Sequence, residues 1–290
     1  LAKRLADVRV AVLLFLAGLA CCAGALVIWL WPPPGAPVAS SGTPAPVPRT
    51  SAPPPAAAVP AASPPATTAP GERPRLAIII DDCGQWPVTE RAFVALPFPV
   101  TLSVLPHVRF GPAIARAADA AGQGVMLHLP MQTVSGRYPG PGTITTAMDD
   151  AAIRNDVQGD LDELPEARGV NNHEGSLATA DSRVMNDVVA VLARDGRFFI
   201  DSRTSAASVG ATVAREHGVP TAQRNVFLDN VDNEAAVAAR LREALDDARA
   251  QGSAIAIGHP RPATLAAVRA LGGEAEAAGV QLTLASAIVH

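Results

Sequence analysis

The sequence predicts an α/β fold in which a parallel sheet is covered by outer helices and closed as a barrel of seven or eight β/α units. Three observations predict it. Leu76–Ile80 is a short, unbroken apolar run rich in isoleucine, as expected of a strand buried on both faces, and it stops at the adjacent carboxylates Asp81 and Asp82. Strand-like and helix-like segments then alternate to the C-terminus, the pattern of parallel β/α units. Several of these strands end in polar groups suited to metal binding or proton transfer, and both barrels and open α/β sheets bind ligands at the C-terminal strand ends. An open, doubly wound sheet shares the alternation, but no Gly-x-Gly-x-x-Gly or phosphate-loop pattern occurs, and that favours the barrel.

The 290 residues allow one large domain or two small ones. Residues 1–9 carry Lys3, Arg4 and Arg9 against Asp7, and Val10 to Trp31 contains no charge, enough to cross a bilayer as a helix. Trp29 and Trp31 close that run as interfacial aromatics, and the basic flank places the N-terminus in the cytoplasm. A cleaved signal peptide would have a shorter apolar stretch and a small-residue cleavage site, and a lipoprotein anchor at Cys21 or Cys22 is opposed by the apolar residues that continue beyond it. Residues 32–74 are Pro, Ala, Ser and Thr with few large apolar side chains, which predicts a disordered, partly polyproline linker. The folded domain is expected over 75–290, and together these segments predict a single-pass membrane protein with a cytoplasmic N-terminus and its domain beyond the membrane. A formal net charge of −4 offers no basic patch for nucleic acid, and three cysteines are too few for a disulfide framework.

Within the domain, strands are expected at Leu76–Ile80, Val100–Val104, Val125–Leu129, Gly169–Asn171, Phe198–Ile200, Val226–Leu228, Ala254–Ile257 and Gln281–Leu284. Helices are expected near Pro112–Ala121, from the caps Asp149 and Asp150 to Leu164, and over Asp181–Arg194, Val209–His217, Glu234–Gln251 and Thr264–Leu271. Gln132–Ala147, rich in Gly, Pro and Thr, reads as a long loop of the kind that often carries function.

Two adjacent aspartates after a buried strand resist burial together unless a cation or a catalytic task resolves their repulsion. Asp and His suit Zn²⁺ or a similar divalent ion, which lowers the pKa of water and polarises a carbonyl. A free carboxylate would take a proton and a further protonated group would assist the leaving group, which describes hydrolysis of an ester or amide.

Five motifs occur in order: Ile79-Ile80-Asp81-Asp82, His128-Leu129-Pro130-Met131, Asn171-Asn172-His173-Glu174-Gly175-Ser176, Asp201-Ser202-Arg203-Thr204 and Gly258-His259-Pro260. Together they resemble the divergent polysaccharide deacetylase family, distant relatives of the NodB-type carbohydrate deacetylases, over the whole of 75–290. The resemblance implies a distorted (β/α) barrel and a divalent metal, most commonly zinc. It also implies removal of acetyl groups from an envelope polysaccharide or peptidoglycan glycan, and, with the expected anchor, a place in a bacterial inner membrane with the domain in the periplasm or otherwise outside the membrane. Asp81 matches the general base, Asp82 and His128 match metal ligands, and His259 matches the acid that protonates the leaving group. Gln132 stands where the usual His-x-x-x-His pair has its second histidine, and His173 is the residue able to replace it. Asp201 and Arg203 fall where related enzymes orient the acid and the base.

Plainer readings stand beside these. Asp81 and Asp82 could cap a helix, His128 could be a core histidine, and Asp201 with Arg203 could be a structural ion pair. Asp229 and Asn230 are read as support for the site, Cys83 as a small buried hydrophobe, and His107 as a cleft-lining residue that binds no metal. A deacetylase without turnover, serving as an envelope glycan-binding or scaffolding module, is the alternative that Gln132 motivates. A metal-dependent hydrolase of another ester or amide is the third.

Overall fold

A computed structural model describes residues 72–290; the expected membrane helix and almost all of the linker lie outside the described residues. The sheet holds nine strands: β1 Arg75–Cys83, β2 Thr101–Val104, β3 Gly124–Met131, β4 Gly169–Glu174, β5 Phe198–Asp201, β6 Thr221–Gln223, β7 Val226–Phe227, β8 Ser253–Gly258 and β9 Gln281–Thr283. Every pairing between them is parallel. The order is β6-β5-β4-β3-β2-β1-β8-β7, with β9 set against the start of β1. Its two ends, β6 and β7, are consecutive in the chain but unpaired with each other, so the sheet is a curled half-barrel rather than a closed cylinder. Arg224 and Asn225 span the seam, donating their backbone N–H groups to Asp201 of β5 and Ile255 of β8.

Seven helices connect the strands: α1 Pro87–Val94, α2 Gly111–Ala120, α3 Asp150–Glu163, α4 Ser182–Asp195, α5 Gly210–Glu216, α6 Glu234–Gln251 and α7 Pro262–Ala277. Asp149, Asp181 and Asn233 cap α3, α4 and α6 by accepting N–H groups of the first turn. The strands β1, β3 and β4 run further toward their C-terminal ends than expected, and three differences concern the elements themselves. The helix α1 and the strand β6 are short and weakly patterned, and α7 continues through Gly272-Gly273. A glycine pair would ordinarily weaken a helix, but a Cβ at Gly272 would sit 3.1 Å from the Phe98 ring, so close packing accounts for one of the two.

Alternation along the strands builds two cores. Leu76, Ile78, Ile80, Leu102, Val104, Val125, Leu127, Val170 and Phe199 face the helices, whereas Ala77, Ile79, Met126, Phe198, Ile200, Ile255 and Ile257 fill the barrel interior. This parity matters for function, because polar residues that continue the interior series emerge on the concave end of the sheet.

Candidate metal and catalytic site

Asp81 continues the interior series of β1 after Ala77 and Ile79. Strict alternation would send Asp82 outward. Instead the β1/β2 register shifts between Ile80 and Cys83, and Asp82 takes a left-handed φ of 58°. A bulge of this kind re-aims a side chain, at some conformational cost, and it lets two consecutive carboxylates serve one cleft. The loop beyond is fixed by Glu90 of α1, a fully buried residue whose Oε1 accepts N–H groups from Gly84, Gln85 and Trp86 at 2.9, 3.0 and 2.8 Å.

Asp82, His128 and His173 converge. Asp82 Oδ1 lies 2.9 Å from His173 Nδ1 and 3.2 Å from His128 Nε2, and the two ring nitrogens are 3.1 Å apart. Three ligands on one face of a tetrahedral site with metal–ligand bonds near 2.0–2.1 Å would be spaced about 3.3 Å apart. Asp82 Oδ1 is moreover buried, and the contacts it makes among the described residues are to these two imidazole nitrogens, themselves metal-ligating groups. The donor set therefore fits a divalent ion. Burial favours the neutral form of Asp82, but hydrogen bonds and charge from His128 and His173 outweigh it and hold the carboxyl well below its usual range. Burial likewise opposes protonation of His128, yet Asp81, Asp82 and Asn171 raise its pKa: the cluster attracts a positive charge.

Asn171, on β4 directly across from His128, organises the group. Its Nδ2 donates to Asp81 Oδ1 at 2.8 Å and to Ser202 Oγ at 3.2 Å, while its Oδ1 accepts from Ser103 Oγ and faces His128 Nδ1 at 2.8 Å. The opposite amide orientation would set its oxygen against the Asp81 carboxylate, so the network assigns the proton of neutral His128 to Nδ1 and the lone pair to Nε2. Such outer contacts orient ligands and raise their basicity. The sequence signal for Asn171 was its polarity in an otherwise buried strand.

Asp81 is 4 % exposed, and burial raises its pKa against the opposing pull of His128, His259 and the Asn171 hydrogen bond. His259 follows β8, where Gly258 pairs with Ile80. Its Nδ1 meets Asp229 Oδ1 at 2.9 Å, its backbone N–H donates to Asp229 Oδ2 at 2.7 Å, and its Nε2 lies 3.7 Å from Asp82 Oδ2. Burial disfavours protonation of His259, but Asp229 and Asp82 more than offset it and raise the pKa. Thr264 Oγ1 supplies another hydrogen bond to Asp229 Oδ2 at 2.8 Å. Asp229 thus has the orienting position that the family resemblance assigned to Asp201.

Asp201 and Arg203 differ from that expectation. Asp201 shares the outward parity of Phe199, and its fully buried carboxylate accepts Arg203 N–H at 2.8 Å through Oδ1 and Ser208 Oγ at 2.7 Å through Oδ2. It shapes the turn after β5 and touches neither Asp81 nor His259. Nor do Asp201 and Arg203 form a side-chain ion pair among the described residues; what Asp201 holds is the backbone of Arg203. Gln132, at the departing position, is also structural: its Oε1 accepts both N–H and Oγ1 of Thr146 at 2.9 and 3.0 Å, pinning the long loop. His107 stands outside the Asp82, His128 and His173 group, pairing with Asp160 at 2.8 Å and Glu163 at 3.0 Å.

The half-barrel with a cation-seeking Asp/His/His cluster at its strand ends defines an α/β protein of the carbohydrate-deacetylase kind. The chain belongs to the divergent polysaccharide deacetylase family, whose model matches residues 78–289. It is 37% identical over 196 residues to an uncharacterized protein of Haemophilus influenzae, a match covering 68% of this chain and 70% of that one. It is 36% identical over 191 residues to the uncharacterized protein YibQ of Escherichia coli, covering 66% of this chain and 60% of YibQ. The crystal structure of uncharacterized protein ATU2773 from Agrobacterium tumefaciens superposes with a TM-score of 0.71 at 22% identity, covering 78% of this chain and 93% of that one, and shows the shared fold.

Proposed function

We propose that the domain removes acetyl groups from an envelope polysaccharide or peptidoglycan glycan, with a divalent ion of the Zn²⁺ type held by Asp82, His128 and His173. The observation that carries this reading is the placement of two differently tuned proton-transfer groups beside one cation-seeking cluster. When bound, the ion supplies Lewis-acid polarisation and makes water easier to deprotonate. Asp81, tethered at Oδ1 by Asn171, keeps Oδ2 available to take a proton from the attacking water. His259, with Nδ1 held by Asp229, presents Nε2 to deliver a proton to the departing sugar oxygen or nitrogen. The buried surroundings of Asp81 raise its basicity, and the Asp229 carboxylate keeps His259 protonated to higher pH, so each group is matched to its task.

Exposed Trp86 and Tyr138, on the loops after β1 and β3, offer stacking surfaces for sugar rings. The uncharged Val10–Trp31 stretch and the Pro-rich segment after it support a membrane-tethered, periplasm-facing arrangement. A binding-only module was motivated by Gln132, but Gln132 is engaged by Thr146 and His173 occupies the ligand cluster, which favours the catalytic reading. The test is acetate release from acetylated glycan oligomers by protein loaded with Zn²⁺. Release that disappears in Asp81→Asn while bound metal is retained supports the proposal; no release from any acetylated glycan under any divalent metal refutes it.

A further inference from the structure

Four non-glycine residues adopt left-handed backbone conformations among the described residues: Asp82, His107, Glu174 and Arg203. Each follows, or lies at, the C-terminal end of a strand. Asp82 contacts His128 and His173, Glu174 pairs with Arg137 at 3.3 Å, and His107 pairs with Asp160 and Glu163. Arg203 is different. Its backbone is held at both ends, by Asp201 Oδ1 on its N–H and by Arg224 Nη2 on its carbonyl at 3.1 Å, yet its guanidinium makes no hydrogen bond or ion pair among the described residues. An unfavourable φ of 52°, stabilised from two sides around an unused cation, is the pattern expected where strain serves binding.

Arg224 stands beside it in the barrel seam. Its Nε donates to the Ser202 carbonyl at 2.7 Å, and its guanidinium lies 5.2 Å from the centre of the Phe227 ring. Phe227 in turn meets the His259 ring edge-on at 5.4 Å. One aromatic ring therefore separates the Arg224 cation from the prospective acid, a gap that one sugar ring can also span. Arg224 too has no carboxylate in ion-pair contact among the described residues. Burial lowers its pKa, and the charge of Arg203 adds to that effect against the attraction of Asp81 and Asp201. The Arg224 guanidinium thus rests on the Arg203 backbone, and neither arginine is ion-paired among the described residues. A bound anion would complete them.

We propose that Arg203 and Arg224 bind a carboxylate on the substrate, so that the preferred glycan carries an acidic substituent about one sugar ring from the acetyl group removed. The inference rests on the deacetylase reading above and names its substrate class. A monoanion suits the site better than a dianionic phosphate, because the Asp81 carboxylate acts on Arg224 and opposes added negative charge there. Guanidinium groups also match the planar geometry of a carboxylate.

The test uses the full chain in detergent and two acetylated oligosaccharides that differ only in a carboxylate, present in one and reduced to the alcohol in the other. Binding by calorimetry and acetate release are both measured. The parent should bind the acidic oligosaccharide at least about tenfold more tightly. Arg203→Gln, which leaves the backbone hydrogen bonds of the turn available, should reduce that ratio to below about threefold, and Arg203→Lys should restore part of it. Equal affinity of the parent for the two ligands, no binding of either, or a ratio unchanged in Arg203→Gln would overturn the inference. Carboxylate-dependent binding without acetate release would support the anion site and count against the deacetylase reading. Acetate release without any preference would do the reverse.

Discussion

The ends of β5 and β7 each carry a buried aspartate with a basic residue nearby, and of these two only the β7 aspartate reaches the proposed catalytic cleft. At the β7–β8 end, Asp229 continues the inward series of Phe227 and holds His259 through both carboxylate oxygens. At the β5 end, Asp201 lies on the outward side with Phe199, bonds to Ser208 and the backbone of Arg203, and never reaches the acid or the base. Both carboxylates are fully buried. Burial and residue type therefore do not separate a catalytic partner from a turn-former; strand parity does.

The comparison can be broken by substitution, and the effects should fall in order. Asp82→Ala removes a charged metal ligand and should abolish bound metal and lower turnover by about a thousandfold or more, read by metal analysis and acetate release. Asp229→Asn should lower kcat by roughly a hundredfold or more and move the alkaline limb of the pH profile to lower pH, since the neutral amide no longer stabilises protonated His259. If kcat and the limb stayed in place, Asp229 would have no part in orienting the acid. Asp201→Ala should instead cost about 1–3 kcal/mol of stability through its unpaired buried donors, with a much smaller change in kcat than Asp229→Asn. A larger catalytic loss at Asp201 than at Asp229 would reverse the comparison.

A smaller effect tests a carboxylate on the helix side. Burial pushes Asp160 up to about 7, against the opposing pull of His107. An unfolded aspartate titrates near ~3.9, so between these values the folded protein binds more protons and stability from this group falls as pH rises from about 4 to about 7. Asp160→Asn should therefore gain stability relative to the parent between pH 5 and pH 8, by an amount on the order of 1–4 kcal/mol. Parallel stability–pH curves for the two proteins would show that Asp160 titrates normally.

Much of this was legible in the sequence. The β/α alternation and the unbroken Leu76–Ile80 run are local patterns, and the structure contains them as a curled sheet. Asp81, Asp82, His128, His173 and His259 stood out because polar groups at the ends of apolar strands are chemically conspicuous. The roles of Asp229 and Asn171 were less legible because they depend on which strands become neighbours: β4 beside β3, and β7 beside β8. The bulge at Asp82 was equally hidden, since it is a property of pairing with β2. Parity was available from the sequence for Asp201, two residues after Phe199, but it becomes decisive only once the interior side of the sheet is known.

The most direct measurement is the metal content of the purified protein compared with His173→Ala and Gln132→Ala. The account predicts about one divalent ion per chain in the parent and in Gln132→Ala, whose only loss is the Thr146 anchor, and none in His173→Ala. Metal retained without His173 but lost without Gln132, or no metal in any of the three after reconstitution, would contradict it.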